Sequence, residues 1–333
     1  MWYTKFGNMG DVVLSSRVRL ARNIEKIPFG KKMTNQNRNQ VIEKCKEALP
    51  SLEYINLENM QPIERLALSE CHLISPEIAN SADKCAILTN KSCNLCIMLC
   101  EEDHIRIQSM SEGFDLDKCL LAASEIDDKL SRSLPIAFDN QFGYLTCCPT
   151  NTGTGLRASV MVHLPALTEN GDIDALVRSL TKHGFTVRGI YGEGSAALGN
   201  IYQISNQVTM GISEEETIES LKHLVGEVIQ KERSLGQKIY AASRYRLEDR
   251  IMRAKGILEN SRIITSKEAM NLLSDVRWGI NLGIINDIDL ETLSDAMYKS
   301  LPANIVKTYN LTTATERDLK RSELLANGLK SIN

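Results

Sequence analysis

Short apolar runs with strand-like alternation dominate the chain from residue 11 to about residue 236. Several runs follow one another without an intervening helical pattern, and this order favours an antiparallel sheet. The periodicity predicts strands at residues 85–88, 94–100, 104–110, 144–147, 156–163, 186–191 and 201–210.

Two segments in this region repeat apolar residues at helical spacing instead. Residues 115–130 carry one apolar face, which is formed by Leu116, Cys119, Leu120, Ala123, Ile126 and Leu130. Residues 213–233 begin with Ser213 and Glu216, the spacing of a capping box, and continue with an apolar stripe. Both segments are therefore predicted to be amphipathic helices.

After Gly236 no strand pattern is evident, and helices are predicted at residues 243–255, 266–278, 289–298 and 316–329. We therefore predict an α+β domain at residues 1–236 and an α-helical domain at residues 237–333. The second domain contains the apolar residues Leu272, Val276, Trp278, Ile280 and Leu282. They form either its core or a dimer face, and a core is the simpler interpretation.

The chain has 333 residues, with 39 Lys plus Arg against 42 Asp plus Glu, and a net charge of −3. This balance gives no reason to expect nucleic acid or an anionic membrane as a partner. The sequence holds no run of eighteen apolar residues and no secretory signal at its start, so we expect a cytoplasmic protein.

Nine cysteines lie mainly in apolar, strand-like runs, and in a cytoplasmic chain we expect them to be reduced. The cluster Cys93, Cys96 and Cys100 lacks a second CxxC pair and a nearby histidine. No metal site is therefore predicted.

Arg17 and Arg19 are two positions apart, so they share a face if their segment is extended. Two guanidinium groups suit a polyphosphate because arginine binds phosphate oxygens through paired hydrogen bonds and keeps its charge. Taken alone, however, the pair is better explained as a solvated basic strand.

Three further segments carry candidate chemistry. The acids at residues 101–103 run into a strand with Arg106, although a charged turn is the alternative. A Gly/Thr-rich loop at residues 148–155 precedes Arg157, and small residues let backbone N–H groups approach an anion. Residues 188–195 form a glycine-punctuated loop, most simply a mobile turn or lid.

These segments resemble those of the guanidino kinases, the family that contains creatine and arginine kinases. The matching stretches are SSRVRLARN at residues 15–23, EEDHIR at 101–106 and CPTNTGTGLRASV at 148–160, in the family's order. The cysteine motif is highly specific, and the resemblance covers about residues 11–211. It implies a guanidino kinase catalytic domain with an antiparallel sheet flanked by helices, followed here by the helical domain.

The resemblance also implies that arginines cradle the phosphates of ATP, that Mg²⁺ bridges those phosphates, and that His72 lies near the adenosine. The implied nucleotide-binding residues are Ser15, Ser16, Arg17, Val18, Arg19, His72, Arg106, Arg157, Ala158, Ser159, Val160, Met161, Arg188, Gly189, Ile190, Tyr191, Gly192 and Glu193.

The implied catalytic residues are Glu102, which would hold the acceptor guanidinium, and Cys148, which would lie beside its reacting nitrogen. A guanidinium is a poor nucleophile until it loses a proton, and a carboxylate can accept that proton. A thiolate would stabilise the cation. A nucleophilic role for Cys148 is disfavoured because direct transfer needs no phosphocysteine.

Three departures from the family refine this hypothesis. Small-molecule members carry a large helical domain before the first arginine motif, whereas here Ser15 stands almost at the start. We therefore expect an acceptor site open to an arginine within a polypeptide, as in the bacterial protein arginine kinases.

The second departure is in the loop. Tyr191 stands where a phosphate-binding arginine is usual, although Arg188 is close enough to substitute, and Ala196 stands where a second catalytic glutamate is usual. Either Glu193 serves as the second carboxylate, which we favour, or the chain is catalytically impaired.

Finally, Arg317, Asp318, Arg321 and Ser322 resemble the Arg-Asp-x-x-Arg-Ala motif through which protein arginine kinases bind phosphoarginine and are regulated. Ser322 replaces the alanine. Residues four apart meet on one helix face, where an aspartate suits the guanidinium and arginines suit its phosphate. A salt-bridged helix surface is the alternative.

Together these observations predict an ATP- and Mg²⁺-dependent protein arginine kinase for proteins with exposed arginines. The family implies a role in stress response, an activator protein, allosteric control, the Clp protease machinery and a homodimer. Two alternatives stay open: a catalytically impaired phosphoarginine-binding adaptor and a kinase of free arginine.

Overall fold

The computed structural model describes residues 5–80, 84–189 and 197–330. Within them an eight-stranded antiparallel sheet has the order β2-β3-β4-β5-β1-β8-β10-β9, and β6 pairs with β7 in a separate ribbon. The strands are β1 Val13–Arg22, β2 Glu53–Asn56, β3 Ala86–Thr89, β4 Leu95–Leu99, β5 Ile105–Glu112, β6 Phe138–Asp139, β7 Gly143–Tyr144, β8 Leu156–His163, β9 Phe185–Gly189 and β10 Ile201–Asn206. The predicted α+β class with an antiparallel sheet is confirmed.

Helices cover one face of this sheet and form a second region after it. They are α1 Asn35–Ala48, α2 Pro62–Glu70, α3 Pro76–Asn80, α4 Leu116–Ser133, α5 Pro165–Glu169, α6 Ile173–Lys182, α7 Glu214–Asn260, α8 Ser266–Asn281, α9 Leu290–Lys299, α10 Pro302–Tyr309 and α11 Ala314–Leu329. Among the described residues, none of these helices has both the length and the apolarity that a membrane crossing requires.

The side chains of the central strand β1 alternate between the two faces of the sheet. Val18 and Leu20 are fully buried in a core that also contains apolar residues of α4 and α7. Arg17 and Arg19 alternate with them in sequence, and because successive strand residues point to opposite faces, they line the other side. The sheet therefore has one apolar face and one face with partly buried arginines.

The helix α7 joins the sheet to the helical region. Its start is fixed by the predicted capping box, in which Ser213 accepts from the backbone of Glu216 and Glu216 reaches back. The two helices predicted at residues 213–233 and 243–255 form this one element, with a kink at Ser243. Gly236, where we predicted a domain boundary, lies inside it.

The helical region has its own core. Leu247 and Ile251 of α7 pack there with Val276 and Trp278 of α8 and with Leu325 of α11. Val276 is fully buried and Trp278 is 3% exposed, so these residues form a core, which was the simpler of our two interpretations.

Some local predictions were wrong. The strand predicted at residues 144–147 is reduced to β7, because the chain turns into the loop before Cys148. The strand predicted at residues 201–210 ends at Asn206, whose side chain bonds to the carbonyls of Leu156 and Val208. The short strand β2, with one half-exposed edge, gave no clear alternation and was missed.

Candidate active site

A cleft of about 1210 Å³ lies on the arginine face of the sheet. Its floor is formed by β1, β5, β8 and β10, and its walls come from α2 and from the helical region. The predicted residues that line it are Arg17, Arg19, His72, Glu102, Arg106, Cys148, Arg157, Met161, Arg188, Gly189 and Arg317. The structure thus brings both implied catalytic residues, Glu102 and Cys148, into one cleft with the arginines.

Strand register sets the spacing of three arginines. Arg19 of β1 lies opposite Arg157 of β8, and Arg17 lies opposite Ser159. The Arg17 Nε donates to Ser159 Oγ at 3.2 Å, and its Nη2 donates to Gln203 Oε1 at 2.8 Å. These neutral acceptors hold the guanidinium in place without cancelling its charge.

The arginine cluster is electrostatically strained. Burial, followed by the charges of Arg157 and Arg106, lowers the pKa of Arg17 to about 10. Burial and the neighbouring arginines also lower the pKa of Arg19 well below its ordinary value. The buried Arg19 Nε has no hydrogen-bond partner among the described residues. A polyanion would supply the missing countercharge, so the cluster fits phosphates.

Glu101 and Glu102, which precede β5, both pair with Arg106 but differ in exposure. Arg106 pairs with Glu101 at 2.5 Å and with Glu102 at 3.4 Å. Glu101 is almost buried, whereas the side chain of Glu102 is 43% exposed to the cleft. Burial raises the pKa of Glu102, an effect that Arg106 opposes and that Asp103 and Glu101 reinforce. A carboxylate with a raised pKa is a better proton acceptor.

The loop with Cys148 is held by a residue that the sequence did not single out as functional. Asp103, which is 1% exposed, accepts hydrogen bonds at 2.7 Å from the side chain of Asn23 and from the backbone N–H of Cys147. The Cys148 Sγ lies 3.0 Å from the hydroxyl of Thr150. Asp103 therefore ties the acidic turn to the cysteine loop.

Glycine is required in this loop. Gly153 has φ +117°, and a Cβ there would lie 2.1 Å from the carbonyl oxygen of Thr209. Gly155 has φ +66°, and its Cβ would lie 2.7 Å from the carbonyl oxygen of Ala21. These glycines are therefore required by contacts with the protein's own chain, and the approach of the loop to an anion stays a prediction.

Four predicted nucleotide-binding residues have side chains that line neither the cleft nor the small pocket next to it. Val18, Ala158 and Val160 are fully buried in the sheet core, and the Ser16 hydroxyl bonds to the carbonyl of Gly113 and the N–H of Asp115. Strand alternation places them on the apolar face. Their side chains hold the arginine-bearing strands in place from behind.

A small pocket next to the cleft is lined by Ser15, Ser159, His72 and Met161, and the last two also line the cleft. His72 has a positive φ of 58°, and its carbonyl accepts from Gln108 Nε2 at 2.8 Å. Burial and the charge of Arg17 lower its pKa to about 4, so the imidazole is neutral at pH 7. A neutral ring suits contact with a nucleoside.

Arg188 and Gly189, at the end of β9, reach the cleft. The other loop residues that we singled out, Ile190, Tyr191, Gly192, Glu193 and Ala196, lie outside the described residues.

The four residues of the predicted phosphoarginine site, all on α11, do not lie together in the cleft. Arg317 lines the cleft, whereas Arg321 is 1% exposed and donates to the carbonyls of Ser300 and Ile264 at 2.9 Å each. Arg321 also pairs with Asp318. Ser322 donates to the Ser261 carbonyl. In this arrangement Arg321 and Ser322 join α11 to neighbouring loops.

Two β10 residues that bond to the cleft arginines, Gln203 in the cleft and the buried Ser205, were also missed as site residues. Besides Gln203, Ser205 accepts from Arg157 Nη2 at 3.1 Å. Both positions follow the alternation of the predicted strand, so the available signal was their polarity on the face opposite Ile204.

Two family profiles match the chain. The profile of the ATP:guanido phosphotransferase C-terminal catalytic domain matches residues 32–235. The chain belongs to the ATP:guanido phosphotransferase family. It is therefore a phosphotransferase with ATP as a substrate. The profile of the Protein-arginine kinase McsB C-terminal domain matches residues 244–333, which begin just after the kink in α7.

Curated members of this phosphotransferase family are similar over nearly the whole chain. A protein named protein-arginine kinase from Caldanaerobacter subterraneus subsp. tengcongensis is 44% identical over 96% of this chain and 97% of its own length. The protein-arginine kinase of Bacillus subtilis is 42% identical over 97% of this chain and 92% of its own.

Solved guanidino kinases share the fold. A lombricine kinase superposes with a TM-score of 0.60 at 27% identity, covering 69% of this chain and 68% of that one. The duplicated taurocyamine kinase of Schistosoma mansoni, with bound transition-state analogue components, gives 0.59 at 30% identity. That match covers 68% of this chain and 34% of the longer, duplicated one.

Proposed function

We propose that this chain is a protein-arginine kinase, which transfers the γ-phosphate of ATP to arginine side chains of proteins. The observation that carries the proposal is the cluster of arginines with lowered pKa values in the same cleft as Glu102 and Cys148. Relatives of that name, similar over nearly their whole length, support the choice of a protein acceptor.

In the proposed reaction the arginines fix the triphosphate and neutralise charge that develops on the transferred group. Glu102 orients the acceptor guanidinium and takes a proton from its attacking nitrogen. The N–P bond then forms as the bond from the γ-phosphorus to the bridging oxygen breaks, which releases ADP. Cys148 faces the acceptor as an anionic or polar partner, and Glu193 is the proposed second carboxylate.

Mg²⁺ fits this site as part of the MgATP substrate. The cleft carboxylates Glu101 and Glu102 are engaged by Arg106, and the described residues contain no cluster of three or more metal-ligating side chains. Mg²⁺ commonly binds through phosphate oxygens and water, where it reduces the charge of the phosphates.

Further parts of the proposal rest on the family resemblance alone. We assign the protein to the cytoplasm, as a homodimer under allosteric control, and to a stress response in which it works with an activator protein and marks proteins for Clp-type proteolysis. The proposed phosphoarginine site at Arg317, Asp318, Arg321 and Ser322 requires Arg321 to exchange its carbonyl partners for a phosphate.

The direct test is incubation with ATP, Mg²⁺ and casein, followed by phosphorus NMR for an acid-labile P–N species. We expect the parent chain to form it and Glu102→Gln to lower kcat by about 100-fold or more, since base catalysis contributes that much. Glu125→Gln, at an exposed position on α4, is the matched control and should keep full activity.

Ala196 favours one competing function, that of a phosphoarginine-binding adaptor without turnover. A folded parent chain that forms no P–N species but binds phosphoarginine peptides would support the adaptor instead. In that case Ala196→Glu, which restores the usual carboxylate, should raise the rate. Preferential phosphorylation of free arginine over casein would contradict the protein acceptor.

A further inference from the structure

The side chains along the floor of the cleft change in chemical character from one end to the other. On the same face of β8 the residues run from Arg157 through Ser159 to Met161, and on β5 from Arg106 through Gln108 to Met110, with Ser159 and Met110 in a small pocket next to the cleft. Both strands begin next to the segments that carry Cys148 and Glu102. From one end to the other, the cleft therefore presents the carboxylate of Glu102, then the arginine guanidinium groups, and then apolar side chains.

This direction fixes how a nucleotide must lie. In-line transfer puts the γ-phosphate next to the acceptor, so the remaining phosphates and the nucleoside extend away from Glu102. Arg157 and Met161 are four residues apart on one strand, or about 13 Å. An extended nucleoside triphosphate has a comparable length, so its base reaches the end with Met161 and His72.

At the end of the cleft with Met161 and His72, one wall is formed by the helical region. Met161 and Ile201 of the sheet pack with Met270 of α8, with Tyr298 of α9 and with Leu301 before α10 in one buried apolar cluster. Met297 of α9 is half-buried against this cluster, and Met270, Met297 and Tyr298 all line the cleft. Thioethers and an aromatic ring suit contact with a flat aromatic base.

The wall is fixed to the catalytic region by a carboxylate. Glu70, the last residue of α2, accepts hydrogen bonds from the backbone N–H groups of Ala303 and Asn304 in the first turn of α10, at 2.8 and 3.0 Å. It also accepts from the side chain of Asn304 at 3.0 Å. His72 follows two residues later, so one short segment positions both His72 and the wall.

We propose that the helical region completes the nucleotide site, with Met297, Met270 and Tyr298 forming one side of the pocket for the purine base of ATP. The proposal rests on the proposed function for the orientation of the nucleotide. Through these contacts, the position of the helical region sets the affinity for ATP.

The test compares two probes by calorimetry on the full chain: ADP with Mg²⁺, and inorganic tripolyphosphate, which lacks the base. In Met297→Ala we expect the ADP dissociation constant to rise about tenfold, or about 1.4 kcal/mol, with tripolyphosphate binding unchanged. Met297→Leu keeps an apolar side chain and should restore most of the ADP affinity. Met252→Ala, at an exposed methionine of α7, is the matched control and should bind both probes as the parent does.

Equal ADP affinity in the parent and Met297→Ala would overturn the proposal. So would an equal loss for both probes, because that result indicates a general distortion of the cleft. These binding measurements need no turnover, so a parent chain that binds ADP but phosphorylates nothing would contradict the proposed function while leaving this test intact.

Discussion

At Arg19, burial and like charge act against the stability of the fold. Its guanidinium lies among Arg17, Arg106 and Arg157, and its Nε has no hydrogen-bond partner among the described residues. A buried charge without a full set of partners costs free energy. The nucleotide-free protein therefore bears this cost, and a bound polyphosphate removes it.

Replacing Arg19 with methionine should separate stability from binding. Because buried charges can be replaced by apolar groups with a gain in stability, we expect Arg19→Met to raise the free energy of unfolding by about 1 to 2 kcal/mol. ADP affinity should fall about 10- to 100-fold, since a charged hydrogen bond contributes about 1.5 to 3 kcal/mol. Urea unfolding and ADP calorimetry measure the two effects.

The exposed Arg246 of α7 supplies the control, because Arg246→Met should change neither quantity. A less stable Arg19→Met variant would show that Arg19 contributes to the fold as it stands.

At the scale of elements, the sequence predicted strands and helices where periodicity was strong. β8 has the predicted bounds, and the capping box marks the start of α7 as expected. The arginine pair was ambiguous by itself, because the register of Arg19 opposite Arg157 depends on pairing between distant strands. Local patterns marked Asp103 as one of three acids and Gln203 as a polar strand position, but their hydrogen bonds join distant segments, so the sequence did not show which contacts they make.

The cysteine loop gives a prediction at this scale. Gly153→Ala should destabilise the protein by about 3 kcal/mol, because it combines an unfavourable φ with a clash against the Thr209 carbonyl. Gly171 also has positive φ but no atom near its Cβ position, so Gly171→Ala should cost only about 1 kcal/mol. Thermal unfolding measures both, and equal losses would contradict the importance of the close approach.

At the scale of the whole molecule, the two cores meet along α7. Glu232 of this helix is 4% exposed and accepts from the backbone N–H groups of Ala166 and Leu167, at 2.7 and 2.9 Å. It thereby fixes α5 between the sheet and α8. A carboxylate buried in this position should make stability depend on pH.

Burial raises the pKa of Glu232 from 4.5 to about 7. Between these values the unfolded chain has released the proton while the folded chain keeps it, so the contribution of Glu232 to stability falls as pH rises. We expect the difference in unfolding free energy between the parent and Glu232→Gln to fall by up to about 3 kcal/mol from pH 4.5 to 7. Urea unfolding at several pH values measures this difference. A flat difference would mean that the pKa of Glu232 is the same in the folded and the unfolded chain, and Glu125→Gln again serves as the control.

Because α7 runs from the sheet core into the helical core, the number of its residues determines how the two cores are oriented. Its first part is anchored by Leu221 and Val225 in the sheet core, and its last part by Leu247 and Ile251 in the helical core. Each residue of an α-helix advances the direction of its side chains by about 100°. One residue added after Gly236 would therefore swing the Met297 side of the helical core away from Met161, so the spacing between the two anchors sets their angular phase.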